Sequence, residues 1–300
     1  MPSKLVTAPA VEPVTIQEAL DYLRLDDDSD ANFVTGLIPV GRWHVEKYCD
    51  RALVQQTWNF YFDDFIERDR RFKTGLNYPG SNVPIPYGGS SRWAQQWPLN
   101  SYLELGKPPI QSVVGVTYVD VNGETQTLDP SIYLVDLVSE PARIYLAPNQ
   151  IWPPYTSQRN AICIQCVCGY GVGLSIGIEA EATAITGAVF EPTDVGSRIV
   201  IPGAGVTAGT PPITIDLYTT IAAVDDSGNA TVANAAGTTV SRASVIWPPV
   251  PDTIKLAIKM VIANFYENRE PVALVSGSQP YEMPYNIADI LAPFGPTDRF

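Results

Sequence analysis

Three cysteines fall within six residues, at Cys163, Cys166 and Cys168 in the stretch AICIQCVCGYG. Thiols so closely spaced are raw material for a zinc site or a redox centre. Their neighbours argue otherwise. The run is β-branched and apolar up to Gly169-Tyr170-Gly171, which predicts a buried strand. On a strand, Cys166 and Cys168 share a face with Ile162 and Ile164, and Cys163 points the other way. Three thiolates cannot close on one metal from two sides of a sheet. A zinc ribbon would also need a second ligand pair, and only Cys49 and the single histidine, His44, remain. The expectation is buried free thiols behaving as small hydrophobes.

Other motifs fail in the same way. Gly173-Leu174-Ser175-Ile176-Gly177 matches the nucleophile elbow G-x-S-x-G, which needs a strand before it, a helix after it and a later histidine. A strand precedes it, but β-rich sequence follows and His44 lies far upstream, so the serine has no base. Its glycines are expected to mark a domain junction. Asp26 to Asp30, DDDSD, does not count out as a calcium loop, because the sixth and twelfth positions are Ala31 and Leu37. Acids ahead of a second helix are the simpler reading. Gly203-Ala204-Gly205 has neither a following helix nor a nearby lysine to make a phosphate loop, and reads as a turn. No catalytic, cofactor or metal site is expected, and no enzyme.

The elements come next. Thr15-Ile-Gln-Glu18 is a capping box opening a first helix with Ile16, Ala19, Leu20 and Leu23 at helical spacing. A second helix carries Phe33, Leu37, Val40, His44 and Tyr48 near one stripe, with Pro39 expected to kink or break it. His44 there reads as a packed or edge residue. From Ala52, ALVQQTWNFYFDDF reads as a long strand. Residues 70–101 are a loop rich in Gly, Pro, Tyr, Trp and Arg, of a length that is usually functional or disordered. VVGVTYVD, Asn122-Gly123 and ETQTL predict a hairpin, and ARIYLA and the cysteine run two more strands. Residues 176–248 are rich in Ala, Thr, Gly and Val and read as a small all-β unit. Helical spacing returns after Asp252, with Ile254, Ala257, Ile258, Val261, Ile262 and Phe265 as a stripe ended by Pro271. The fold class expected is α+β.

The chain has 300 residues, 45% of them hydrophobic, enough to bury a sizeable core. Its net charge of −13 argues against a protein that wraps nucleic acid by neutralising phosphates. Four cysteines without framework spacing fit a reducing compartment. The N-terminus lacks the apolar core of a signal peptide, and Lys259 interrupts the best apolar run. A soluble protein made in the cytoplasm, without a membrane partner, is expected.

Taken in order, six fragments resemble the head–tail adaptor (head-completion) proteins of tailed bacteriophages and gene transfer agents. They are PVTIQEALDYLRLDDD (13–28), VEKYCDRALVQQTW (45–58), PPIQSVVGVTYVDVNG (108–123), CGYG (168–171), VPDTIKLAIKMVIANFYENRE (250–270) and IADILAPF (287–294). Together they span roughly three quarters of the chain. The family runs from its GYG to the helix through a short link, whereas some seventy residues intervene here. The resemblance therefore implies a discontinuous adaptor domain, 1–175 with 249–300, carrying an inserted β-sandwich-like domain at 176–248. The loop at 70–101 and Pro39 also depart from the pattern.

What the resemblance implies is assembly, without chemistry. The chain would form a homododecameric ring under the portal at the head–tail junction of a virion. The ring would extend the channel through which DNA passes without sequence-specific binding, and would dock a tail, stopper or tail-terminator protein. The insert would sit on the outer rim, toward the capsid or a tail component. Expected portal or ring contacts are Tyr281, Met283, Tyr285, Ile287, Ile290, Leu291 and Phe294 in a C-terminal anchor, with Arg92, Trp93 and Trp97 in the long loop. Folding of that C-terminal segment back onto its own domain is the competing expectation. The rival function is a tail-spike or fibre-associated module binding carbohydrate. It is disfavoured by the few aromatics of 176–248, chiefly Phe190, Tyr218 and Trp247.

Overall fold

The computed structural model describes residues 2–25, 29–65, 102–156, 158–205, 215–268 and 285–295. The fold is α+β, and the chain divides into two units, Met1–Val6 with Thr57–Val167 and Thr7–Gln56 with Cys168–Phe300.

The first unit is built on strands. β1 (Ser3–Thr7), β2 (Gln56–Phe62), β4 (Ile110–Val119), β5 (Thr125–Thr127) and β8 (Ile162–Cys168) form one sheet in the order β1-β2-β8-β4-β5. A second sheet has β3 (Tyr102–Glu104), β6 (Tyr133–Asp136) and β7 (Arg143–Leu146) in the order β3-β7-β6. β4 and β5 are the expected hairpin, pairing Thr117 with Thr127 and Val119 with Thr125. In its turn Gly123 takes φ +86°, and the Asp120 carboxylate accepts from the N–H groups of Asn122 and Glu124. β8 alternates as predicted: Ile162, Ile164, Cys166 and Cys168 are fully buried and Cys163 is half-buried. β2 is shorter than the expected strand. Ala52, Leu53 and Val54 are apolar because they are buried, yet they make no ladder; Leu53 donates instead to the Glu46 carboxylate.

The second unit holds the helices. α1 (Ile16–Leu23) opens with the capping box: the Thr15 hydroxyl accepts from Glu18 N–H and the Glu18 carboxylate accepts from Thr15 N–H. α2 (Ala31–Cys49) runs through Pro39 without the break that was one of the two expected outcomes. Its core line is Val34, Ile38, Gly41, Val45 and Cys49, one position off the stripe singled out in the sequence. Small residues explain the shift. A Cβ on Gly41 would lie 3.0 Å from Ile262 Cγ1 and 3.3 Å from Ile258 Cγ2, so α2 and the helix that carries those two residues approach closely at Gly41.

Strands β9 (Val172–Ile178), β10 (Ile185–Thr186), β11 (Arg198–Ile201), β12 (Leu217–Val224), β13 (Ala230–Val232) and β14 (Val240–Trp247) then follow, with no α-helix among the described residues of this stretch. They form two three-stranded sheets, β10-β9-β14 and β11-β12-β13, around a core that includes Ile176, Ile199, Ile201, Ile221 and Trp247. β9 and β14 are antiparallel, with Val172 opposite Trp247, so this stretch enters and leaves side by side. The chain continues into α3 (Asp252–Glu267) and α4 (Tyr285–Leu291). α3 buries Ile254, Ala257, Ile258, Val261 and Ile262 against α1 and α2. No described helix is long and apolar enough to cross a membrane.

Candidate assembly surfaces

The C-terminal anchor is only partly free to act as one. Tyr281 and Met283 lie outside the described residues, and Tyr285 opens α4. Ile287 is 2% exposed and Leu291 0%, both within the core shared by α2 and α3, and Ile290 and Phe294 pack against that core. For Ile287 and Leu291 this replaces the anchor reading, because a side chain closed inside its own core cannot also line a docking surface. The turn after α4 is tied down as well: Arg51 Nε donates to the carbonyl oxygen of Phe294 at 2.7 Å.

Arg92, Trp93 and Trp97 also lie outside the described residues. Both roots of their loop are fixed. Phe65 is buried, stacks on Trp152 with centroids 4.4 Å apart and meets Tyr155 edge-on at 5.2 Å. The Tyr155 hydroxyl donates to Asp64; burial, then this carboxylate, push its pKa up to about 12. At the far root, Tyr102 faces Tyr145 and the Arg143 guanidinium lies 4.5 Å over its ring. Sequence reading missed this aromatic frame, since Trp152 and Tyr155 sit in a stretch with no periodicity.

The motifs weighed for chemistry take structural places. Gly173 to Gly177 lie within β9, Ser175 opposite Ser244, and no elbow forms. The glycines mark close approaches: a Cβ at Gly173 would lie 2.4 Å from Val11 Cγ2, and one at Gly177 2.8 Å from the Thr186 hydroxyl. His44 packs between Trp43 and Phe265. Burial, and secondarily Lys47, lower its pKa, leaving it neutral at pH 7. Gly203 is in a turn at φ +75°.

Two buried polar networks brace the second unit. In one, Glu46 accepts from Leu53 N–H at 3.0 Å, from Gln56 Nε2 and from Arg42, which also holds Glu12 at 2.7 Å. Burial raises the Glu46 pKa despite these donors. In the other, the Thr15 hydroxyl donates to Asp216 Oδ2 at 2.5 Å, Gly203 N–H donates to Oδ1 at 3.1 Å, and Lys255 pairs with Glu18 at 2.5 Å. The cap of α1 is thereby stapled to the segment leading into β12. Burial raises the Asp216 carboxyl, with Glu18 and Asp21 adding repulsion. It raises the Tyr218 hydroxyl too. These contacts tie the start of α1 to the β9–β14 strands within the second unit.

Outward, two apolar surfaces stand out. On α2 they are Phe33, Val40 and Trp43. In the first unit they are Leu134, Val135, Leu137 and Val138 at the β6–β7 turn. What the described residues offer is packed elements with exposed apolar faces.

No protein-family model matches the chain, and no curated protein matches it. A solved structure does. A chain in the neck of an empty GTA particle, computed with C6 symmetry, has a TM-score of 0.50 at 12% identity, covering 98% of this chain and 95% of that one. The fold is shared with a neck chain. A chain in the virion of a native gene transfer agent (GTA) particle gives a TM-score of 0.49 at 11% identity, with the same coverage.

Proposed function

We infer that this chain is a structural subunit of a virion neck: a head–tail adaptor that assembles with its own copies into a ring beneath a portal. The ring lengthens the DNA channel and presents a platform for a tail or stopper protein. The observation carrying this reading is the fold, which runs nearly end to end with that of a GTA neck chain. The ordered fragments in the sequence support it independently.

The physical demands of a ring agree. A ring protomer must be stiff and must carry unlike contacts for its two neighbours. Stiffness comes from α3, whose stripe locks onto α1 and α2, and from the buried staples at Glu46 and Asp216. The stretch 176–248 enters and leaves through the paired strands β9 and β14, as an insertion between GYG and α3 would. We place it on the outer rim, where it leaves the lumen open, with a capsid or tail component as its partner. Portal contacts fall to the loop carrying Arg92, Trp93 and Trp97 and to Tyr281, Met283 and Tyr285.

Co-sedimentation tests the portal contact. Purified chain added to portal-bearing heads that lack a neck should pellet with the heads and not with capsids lacking a portal. Equal pelleting with both, or with neither, would overturn the reading.

A further inference from the structure

We propose that the outward stripe of α2 receives the β6–β7 turn of a second copy of this chain, in a head-to-tail contact. The proposal rests on the ring reading and names the contact that would close it.

α2 is apolar along two lines. The inner line is spent on the core, and the outer line stays substantially exposed, although the Phe33 ring also lies 6.1 Å from that of Tyr266. Phe33, Val40 and Trp43, spaced seven and three apart, lie along one face of the helix and are exposed, Trp43 to 51%. Single exposed apolar residues are ordinary; three aligned on one helix are a stripe. Gly36 lies in the same line, and a Cβ there would meet nothing within 4 Å, which leaves a shallow gap between Phe33 and Val40. Lys47 is the one exposed charged residue between Ala31 and Cys49, its ammonium 4.8 Å over the Trp43 ring.

The turn is its counterpart in shape and charge. β6 is an edge strand, and Leu134, Val135, Leu137 and Val138 are all exposed, Val138 to 96%. The turn is held in shape, because the Asp136 carboxylate accepts from the N–H groups of Val138 at 3.0 Å and Ser139 at 3.1 Å, and from the Ser139 hydroxyl at 2.6 Å. A pre-shaped apolar tip loses little freedom on docking. Its exposed acid is Glu140, complementary to Lys47. At a net charge of −13, two copies repel at most places where they meet, so a lysine-bearing apolar stripe is a favourable landing point for an acidic apolar turn. Both halves belong to every copy, and they are unlike, as ring closure requires.

Two single variants and their mixture test the contact by sedimentation velocity. Val138 is 96% exposed, so Val138→Asp should melt like the wild type, while Trp43→Glu gives up only the ring's contacts with His44 and Lys47 and should stay folded with an unchanged far-UV spectrum. Alone, each should lose self-association at least tenfold, since every junction would contain the altered half. Mixed in equal amounts they should form dimers and nothing larger, the intact turn of Trp43→Glu seating on the intact stripe of Val138→Asp. Wild-type association by either variant alone, or a mixture that stays monomeric, would overturn the contact while leaving the ring reading intact. A wild-type chain that stays monomeric at every concentration, and on portal-bearing heads, would remove both.

Discussion

Single residues carry more of this fold than their size suggests. Gly169 takes φ +120°, and a Cβ there would lie 2.3 Å from the Val54 carbonyl oxygen, which is backbone and cannot swing aside. Gly169→Ala should therefore cost on the order of 3 kcal/mol, read as a fall in the urea midpoint. Gly41→Val is milder. Its side chain would press on those of Ile258 and Ile262, which can yield in part, and on the Ile258 carbonyl oxygen at 3.3 Å, which can yield less, so a loss of about 1–3 kcal/mol is expected from the same titration. Asp216 makes a pH prediction. Its pKa is raised in the fold by burial, so the native state holds its proton more tightly than the unfolded chain does. The stability from this group is fully present below the ordinary carboxylate pKa and is lost as pH rises through the folded value. Urea titrations across pH should show that decline, and Asp216→Asn should flatten it.

At the scale of elements, legibility followed how local the signal was. The capping box at Thr15 and Glu18 was readable because both partners lie within one turn. The β4–β5 hairpin was readable from Asn122-Gly123, and β8 from its alternation. Failures have equally physical causes. β1 is exposed along its whole length and shows no alternation. Ala52 to Val54 looked like strand because they are buried, although only tertiary packing says so. The core line of α2 runs through Gly41 and Cys49, whose smallness hides them from a search for large apolar residues. The stripe that such a search did find points partly outward, onto the surface proposed for docking. The staple from Thr15 to Asp216 joins residues two hundred positions apart and leaves no trace in sequence. Thr15→Ala should cost about 1–2 kcal/mol through the lost cap. A double-mutant cycle with Asp216→Ala should show coupling beyond the sum of the two, and simple additivity would mean that the staple contributes nothing.

At the scale of the molecule, the sequence offered a plausible enzyme motif, a cysteine cluster and an acidic run. The first two resolve into strand and core once their neighbours are considered, and of the acidic run Asp26, Asp27 and Asp28 lie outside the described residues. What remains is a chain of two units folded like a chain of a GTA neck. Its polar staples and its α1–α2–α3 core are what a protomer under mechanical load requires. The exposed apolar surfaces on α2 and at the β6–β7 turn are what a lone soluble protein would be expected to cover. Cryo-electron microscopy of portal-bearing heads incubated with the purified chain tests the account most directly. A twelve-fold ring of this chain seated against the portal, its channel open and residues 176–248 on the outer rim, is the expected result. Density for 176–248 inside the channel, or trimers of the chain on fibres with the portal left bare, would contradict it.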